Sequence, residues 1–523
     1  MKRILCLLVP FLTCFAPAVQ AKEAKRVIPY TRVAPGQGMV MMRLITNRKM
    51  SAASPKWDKF DVHELKTGKT YKLNDLYGGG HHATFVASLP PGEYQADRLR
   101  VGDPVWQSLA EYGEVAFEPE GAWHFRVEAG RMTNLGSVLF LQLFAAADPK
   151  PLYGAQQTRL RYRWVHIPDD NLPQRNAFLF HEDDYPAVLS KSLGWTTVAA
   201  DATQKSLPPE FRRVTMALSG ATPTVAGGTL FGEHFGQIAW RHPDGKWTWE
   251  DTGTIESILF AADSPNGTRY AAAEGSMLLQ RLGPGNWRRI PVDLEDATPR
   301  MLYAAGDGSL LTIWEQFDKS TALRYHPGAD PAWTKEWELR SPGKVTASFG
   351  CCNAVLTPRG IAYSTELYGF SLIIERLAVW DLAADKWTIS DPKFKGGPIG
   401  MLPDGALYSM TGGQSNQTFK VSSDRAVNWE SRSAGTNFLR QPQFRTVDEG
   451  FTLEVSPDIS WTLARTADGG RSWRAISNLP KSTQWFLVLP GQEILIATEA
   501  GQLYSTPDNG KSWRQERNAN SGI

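Results

Sequence analysis

Two aspartates are the first residues that could do chemistry. Asp468 lies in "RTADGGRSW" (465–473) and Asp508 in "STPDNGKSW" (505–513), each with a threonine two residues before it and a glycine two residues after. A carboxylate at the centre of a repeated pattern could serve as an acid or a base. Histidines and acids also gather elsewhere. "GGGHH" (78–82) sets His81 and His82 behind three glycines, and His181, Glu182, Asp183 and Asp184 are consecutive. Adjacent histidines on a strand point to opposite faces, so this pair reads as an exposed hairpin turn. The acidic run lacks the glycine spacing of a calcium loop and reads as a solvated turn. Cys351 and Cys352 are neighbours, and "GCCNA" builds neither a zinc set nor a haem attachment. In an oxidising compartment they could close a vicinal disulfide, the alternative being two ordinary thiols. No "GxSxG" elbow, "HExxH" or "GxxxxGK" loop occurs. The expectation is a chain without metal or cofactor.

The opening "MKRILCLLVPFLTCFAPAVQA" has Lys2 and Arg3, an apolar run, and small residues at Ala16, Ala18 and Ala21. This reads as a signal peptide, 1–21, cut near Ala21, which places the mature protein in the periplasm or outside the cell. Beyond it, 54 basic residues face 54 acidic ones. Such balance offers no electrostatic footprint for nucleic acid or an anionic membrane. The longest later apolar run, "VLFLQLFAAA" (138–147), is half a membrane span and reads as a buried strand, so no span is expected after signal removal.

The elements that must position these residues fall into two regions, both all-β. Within 34–146, "GMVMMRLI" (38–45), "FDVHEL" (60–65), "HATFVASL" (82–89), "EYQADRLRV" (93–101), "WHFRVE" (123–128) and "NLGSVLFLQLF" (134–144) have strand length and strand period. They predict an antiparallel β-sandwich of about seven strands. In "SLPPGEYQA", Pro90 and Pro91 lead into a turn, Gly92 gives it backbone freedom, and Tyr94 starts the returning strand. That turn resembles those of prealbumin-like domains of the carboxypeptidase regulatory type, which implies an accessory rather than a catalytic unit. Residues 147–209, rich in proline and acid without period, read as an irregular connector.

From 210 to 523 the pattern is periodic. Trp247, Trp287, Trp333, Trp387, Trp429, Trp473 and Trp513 are separated by 40, 46, 54, 42, 44 and 40 residues. One four-stranded blade per tryptophan predicts a seven-bladed β-propeller. Phasing against those tryptophans also explains the aspartates. The carboxylate can accept backbone amides of its own turn, the glycine can adopt a positive φ, the hydroxyl adds a local bond, and the indole buries an apolar face. The pattern is Thr466, Asp468, Gly470, Trp473, then Thr506, Asp508, Gly510, Trp513, with a third copy at Ser422, Asp424 and Trp429 that has Ala426 for the glycine.

This pattern resembles the Asp box, or BNR repeat, of propellers in sialidases, sortilin-type receptors and the photosystem II assembly factor family. The resemblance implies that the box lies on the hairpin joining the two outer strands, away from the ligand face. It also raises a glycoside hydrolase reading, which needs three converging arginines, a Tyr/Glu pair and a carboxylic acid. The family's first arginine sits in a Phe/Tyr-Arg-Ile-Pro motif on an early propeller strand. The nearest string here, "NWRRIPVD" with Arg288 to Pro291, directly follows Trp287 and so falls on an outer strand. Arg161, Arg163, Arg212 and Arg300 read as surface residues.

Function is therefore sought at the propeller faces. Cys351 and Cys352 enter an inner strand, and Phe231, His234, Phe235, Tyr303, Gln414, Ser415 and Asn416 have comparable phase. These aromatics and amides suit a protein, peptide or glycan partner in the cell envelope. The sequence thus predicts an exported, non-catalytic binding or assembly protein. A sialidase-like hydrolase and a structural envelope protein are the alternatives.

Overall fold

The computed structural model describes residues 34–47, 57–101, 114–143, 161–172, 193–196 and 219–518, apart from short stretches inside these ranges. The segment read as a signal peptide and the run 181–184 lie outside the described residues. Among those residues the architecture is all-β.

Nine strands form one continuous N-terminal sheet. They are β1 (Gly38–Thr46), β2 (Trp57–Glu64), β3 (Thr70–Gly79), β4 (His82–Leu89), β5 (Gly92–Val101), β6 (Glu114–Ala116), β7 (His124–Val127), β8 (Met132–Leu143) and β9 (Arg161–Ile167). The order is β6-β5-β2-β3-β4-β1-β8-β9, with β7 also on β5. One pair departs from the antiparallel expectation: β1 and β8 run parallel. The chain can arrange this because β2 to β7 intervene between the two and carry it back to the start. The sheet curls around an aromatic core. Phe117 lies 5.2 Å from Phe60 of β2 and 4.2 Å from Trp164 of β9, although those strands stand far apart in the sheet order. The strand after the Pro-Pro turn begins at Gly92, two residues before the expected Tyr94, whose hydroxyl donates to the Pro90 carbonyl at 2.7 Å.

The segment 147–209, expected to be an irregular connector, supplies β9 and two bridges, Thr133 to Leu193 and Phe125 to Trp195. In "RYRWVHI" the cations alternate with aromatics and then give way to Val165 and Ile167. Neither face of that strand is uniformly apolar, so strand period alone did not expose it.

Seven further sheets follow in strict chain order. The first contains β10 (Ser219–Pro223), β11 (Thr229–Gly232), β12 (Gln237–Arg241) and β13 (Trp247–Asp251). The second contains β14 (Ile258–Asp263), β15 (Arg269–Ala273), β16 (Met277–Gly283) and β17 (Asn286–Pro291). The others are β18–β21 (298–340), β22–β26 (350–395), β27–β30 (399–435), β31–β34 (438–478) and β35–β38 (483–518). Each is antiparallel with sequential neighbours, save that the two-residue β26 pairs with β24, and the first strands of adjacent sheets pack together, β10 on β14, β14 on β18, β18 on β22 and β22 on β27. This is the arrangement of a β-propeller, with first strands inside and fourth strands at the rim. Each of the seven tryptophans lies within one residue of the start of a fourth strand.

Strand β1 is buried at all nine positions. One face, Val40, Met42 and Leu44, lines the core of the N-terminal sheet. The other face turns toward the propeller, where Ile45 joins Leu139, Leu141, Val165 and Ile167 against Phe235 and Ile255. A side chain buried this way contributes about 1.5–3 kcal/mol, so this apolar contact fixes the sheet firmly to the first propeller blade.

Candidate functional site

The three aspartate turns close in one way. Thr466 Oγ1 accepts the Gly470 amide at 2.9 Å and donates to Asp468 Oδ1 at 2.7 Å, while Asp468 accepts the Ser472 amide and hydroxyl at 2.9 and 2.6 Å. Thr506, Asp508, Gly510 and Ser512 repeat these four bonds in the same order at 2.8, 2.7, 2.9 and 2.6 Å. In the third copy the Ala426 amide donates to Ser422 Oγ at 2.9 Å and the Asn428 amide to Asp424 Oδ1 at 2.8 Å. All three turns join the third and fourth strands of their sheets, at the rim. The carboxylates are consumed by the backbone they fold.

Their titration follows from these bonds. Partial burial pushes the Asp468 carboxyl up, but Ser472 and Thr466 outweigh it and hold it at about 2. Ser512 and Thr506 hold Asp508 at about 2. The Asn428 amide and side chain lower Asp424. Because the folded values lie below the unfolded ones, the turns stabilise the fold above the ordinary carboxylate range, and that contribution disappears as pH falls through about 2. Carbon-detected NMR titration should find Asp468 and Asp508 still ionised at pH 3; an ordinary midpoint near 3.8 would contradict the turn geometry.

The glycine of the pattern has a steric role. Gly470 has φ of +84° and Gly510 of +89°. A Cβ on Gly470 would come within 2.5 Å of the Phe419 ring in the preceding sheet. Gly470→Ala therefore combines left-handed strain of about 1–2 kcal/mol with overpacking of similar size. A loss of about 3 kcal/mol in urea unfolding is expected, against less than 1 kcal/mol if the ring simply moved aside. Ala426 tolerates φ of +70° in the third copy because its methyl packs in a buried apolar cluster with Leu377 and Met401.

The rim tryptophans join one sheet to the next. Trp287 Nε1 donates to Glu250 at 3.1 Å, Trp333 Nε1 to the Pro291 carbonyl at 2.9 Å and Trp513 Nε1 to Ser477 at 3.0 Å, each on the outer strand of the preceding sheet. Trp247, in the first sheet, donates to Glu516 of β38 (Arg514–Asn518) in the last, at 2.9 Å. The ring thus closes by the same contact that joins its neighbours. Arg241 strengthens that seam, binding Glu516 at 2.7 Å and both oxygens of Glu493 at 2.5 and 2.9 Å. Arg281 repeats the clamp one sheet on, 2.7 Å from Glu250. The signal missed in the sequence is a glutamate three residues after the tryptophan, in "WTWE", "WTKE" and "WRQE".

A second cluster lies where the N-terminal sheet meets the propeller. His81 and His82 are not an exposed turn: they are 7% and 1% exposed. Both face Glu274, fully buried just after β15, with Nδ1 atoms 3.4 and 3.3 Å from its two oxygens. The His81 amide also donates to Glu274 at 3.1 Å. His234 stacks edge-on to His81 at 4.4 Å, and its Nδ1 lies 3.2 Å from Ser257 Oγ. Nearby, Arg43 of β1 pairs with Glu256, each side chain 2% exposed. The glycine run suggested a loop in solvent; a carboxylate 192 residues later turned it inward. Among the described residues, no group of three or more His, Cys, Asp or Glu is arranged to hold a metal ion.

The residues assigned to a ligand face are not brought together. Phe231 is fully buried and stacks on Trp247 at 5.4 Å, Phe235 is buried under the N-terminal sheet, and His234 belongs to the histidine cluster. Phe231 lies on the second strand of its sheet, and His234 and Phe235 lie in the β11–β12 loop, which the N-terminal sheet covers. Tyr303 is half-buried against Trp380 at 5.4 Å. Gln414, Ser415 and Asn416 lie outside the described residues, as do the sulfurs of Cys351 and Cys352, whose backbone forms part of the inner strand β22 (Gly350–Thr357). Arg288 and Arg289 are on outer strand β17, and Arg300 pairs with Glu315. Arg163 is exposed on β9. The side chain of Arg161, and Arg212, lie outside the described residues.

No protein-family model matches this chain, and no curated protein matches it. Solved structures do. It is similar to "YCF48 bound to D1 peptide" at 16% identity over 54% of this chain and 90% of that one, TM-score 0.38. YCF48 from Cyanidioschyzon merolae gives 12% identity over 57% and 96%, TM-score 0.43. BamB from Moraxella catarrhalis gives 11% over 57% and 85%, TM-score 0.36. These neighbours are β-propellers. Each likeness concerns the fold. No described helix is long and apolar enough to cross a membrane.

Proposed function

We propose that this chain is an exported, non-catalytic binding or assembly protein. Its platform is a seven-bladed Asp-box propeller with an N-terminal sandwich fixed to one side, and its partner is a protein, peptide or glycan of the envelope. The observation that carries this reading is the rim contact in which an indole donates to the outer strand of the preceding sheet, repeated at Trp287, Trp333 and Trp513 and joining the last sheet to the first at Trp247. A ring closed in this way is stiff, and stiff scaffolds present loops at their faces with little ordering entropy left to lose on binding. The aspartates that resemble a catalytic signature are engaged in folding their own turns. The first blade's loop at Phe235 and the second blade's loop at Glu274 lie under the N-terminal sheet, which leaves the loops of the blades beyond them for a partner.

The test is crosslinking and affinity capture with the mature chain from the periplasm of its host. A reproducible partner, lost when face loops of blades away from the docked sheet are replaced, supports the reading. Turnover of a fluorogenic sialoside by the purified chain, abolished by an arginine substitution at one axial mouth, overturns it in favour of the hydrolase. Absence of any reproducible partner favours a structural envelope role.

A further inference from the structure

The histidine cluster has no part in that reading, yet it occupies the corner where two units of the chain meet. Three imidazoles and a carboxylate converge there from three segments: His81 and His82 at the β3–β4 hairpin, His234 in the β11–β12 loop, and Glu274 after β15. Glu274 is completely buried, with the Nδ1 atoms of His81 and His82 against its two oxygens. Buried ionisable groups of this density are costly unless they stay paired and hydrogen-bonded.

We propose that His81, His82, His234 and Glu274 form an acid-sensitive latch between the N-terminal sheet and the propeller, closed at neutral pH and loosened by mild acid. The apolar contact of Ile45, Leu139 and Leu141 with Phe235 and Ile255 holds the two units together throughout; the latch decides whether this corner is shut. The group that titrates is His234. It faces the His81 ring, the Ser257 hydroxyl and the field of Glu274, with Glu233 beside it in its own loop. Glu256, next to Ser257, is already engaged by Arg43. Burial and the neighbouring His81 lower the His234 imidazole well below its usual range, although Glu274 pulls the other way. In the closed state His234 is therefore neutral.

The sign follows by linkage. Once the corner opens, His234 meets water and takes up a proton below about pH 6.5, so acid favours the open form. Glu274 acts in the same direction at lower pH. Burial raises its carboxyl, but hydrogen bonds and charge from His81 and His82 outweigh this and hold it well below normal. Its contribution exists above the ordinary glutamate value and is lost as pH falls further. One proton taken up on opening raises the opening constant about tenfold between pH 7.5 and pH 5.5.

The His81 amide reports the latch directly, since it donates to Glu274. Hydrogen–deuterium exchange of the full chain, with EDTA present and rates corrected for intrinsic chemistry, should show peptides spanning 78–85 about tenfold less protected at pH 5.5 than at pH 7.5. Peptides over Ile494–Thr498, a buried strand distant from the corner in the chain, supply the internal standard. His234→Gln, which keeps a side-chain amide near Ser257 and cannot take up the proton, should flatten the profile. His63→Gln, altering the half-exposed partner of Asp97 on β2, should leave it intact. Flat wild-type protection across this range overturns the proposal whether or not the variant folds, as does a full pH response in a folded His234→Gln.

Discussion

Arg241→Met should loosen the ring at its closing seam. The arginine is 7% exposed and bridges Glu493 and Glu516, and Glu516 is 3% exposed beneath it. Methionine fills much of the volume but leaves the buried Glu516 carboxylate with the Trp247 indole and, at its edge, the solvent-exposed Arg514. Removing one partner of a buried pair costs about 3–5 kcal/mol, far more than an exposed pair contributes. The effect should appear in urea unfolding at pH 7 as a lower midpoint, with strands β35–β38 and β10–β13 losing exchange protection first. Acid gives an independent check. Burial raises the Glu516 carboxyl, but Arg241 and Trp247 outweigh this and hold it below normal in the wild type. This contribution is present above the unfolded glutamate value and lost as pH falls through the folded one. Without the arginine, burial dominates and Glu516 becomes easier to protonate, so the variant's deficit should narrow from pH 7 toward pH 5. A deficit below 1 kcal/mol, or one that ignores pH, would show that the seam is held by its apolar contacts alone.

Arg43→Met should be as damaging at the other junction. Arg43 stands in the middle of a strand buried on both faces and pairs with Glu256 from the connection between β13 and β14. The single change leaves Glu256 facing the N-terminal sheet with its counter-charge gone, again at a cost of about 3–5 kcal/mol. Replacing both partners, Arg43→Met with Glu256→Leu, should recover most of the loss, because a well-packed apolar pair needs no compensation. A double-mutant cycle on thermal and urea unfolding measures this. If the double variant is as unstable as the single one, the arginine stabilises chiefly through other contacts and the proposed role of the pair is wrong.

The rim of the propeller was legible in the chain because its determinants are local. Thr466, Asp468 and Gly470 satisfy one another within five residues, so the turn can be read without knowing what surrounds it. The tryptophans repeat at a blade-length period because each opens the outer strand of its own sheet, and four of them, Trp247, Trp287, Trp333 and Trp513, reach the outer strand of the sheet before. The seam clamp left a weaker trace, since a glutamate three residues beyond a tryptophan means little until the next sheet places an arginine opposite it. In the N-terminal sheet, alternation found β1, β2, β4, β5, β7 and β8, but not β3, the three-residue β6, or β9, whose two faces are both mixed.

By itself, the sequence determined which segments alternate as strands in most of the N-terminal sheet, how the outer hairpins close and which carboxylates those hairpins consume, because each depends on neighbours a few residues away. Only the tertiary structure decided that β1 is covered on both sides, that Phe231, His234 and Phe235 are interior, and that His81 and His82 turn inward to a buried carboxylate. These outcomes depend on contacts across roughly two hundred residues, as from His82 to Glu274 and Arg43 to Glu256. No local periodicity encodes such a partner: an apolar strand shows that something must cover it, and the docking of the sheet on the propeller decides what does.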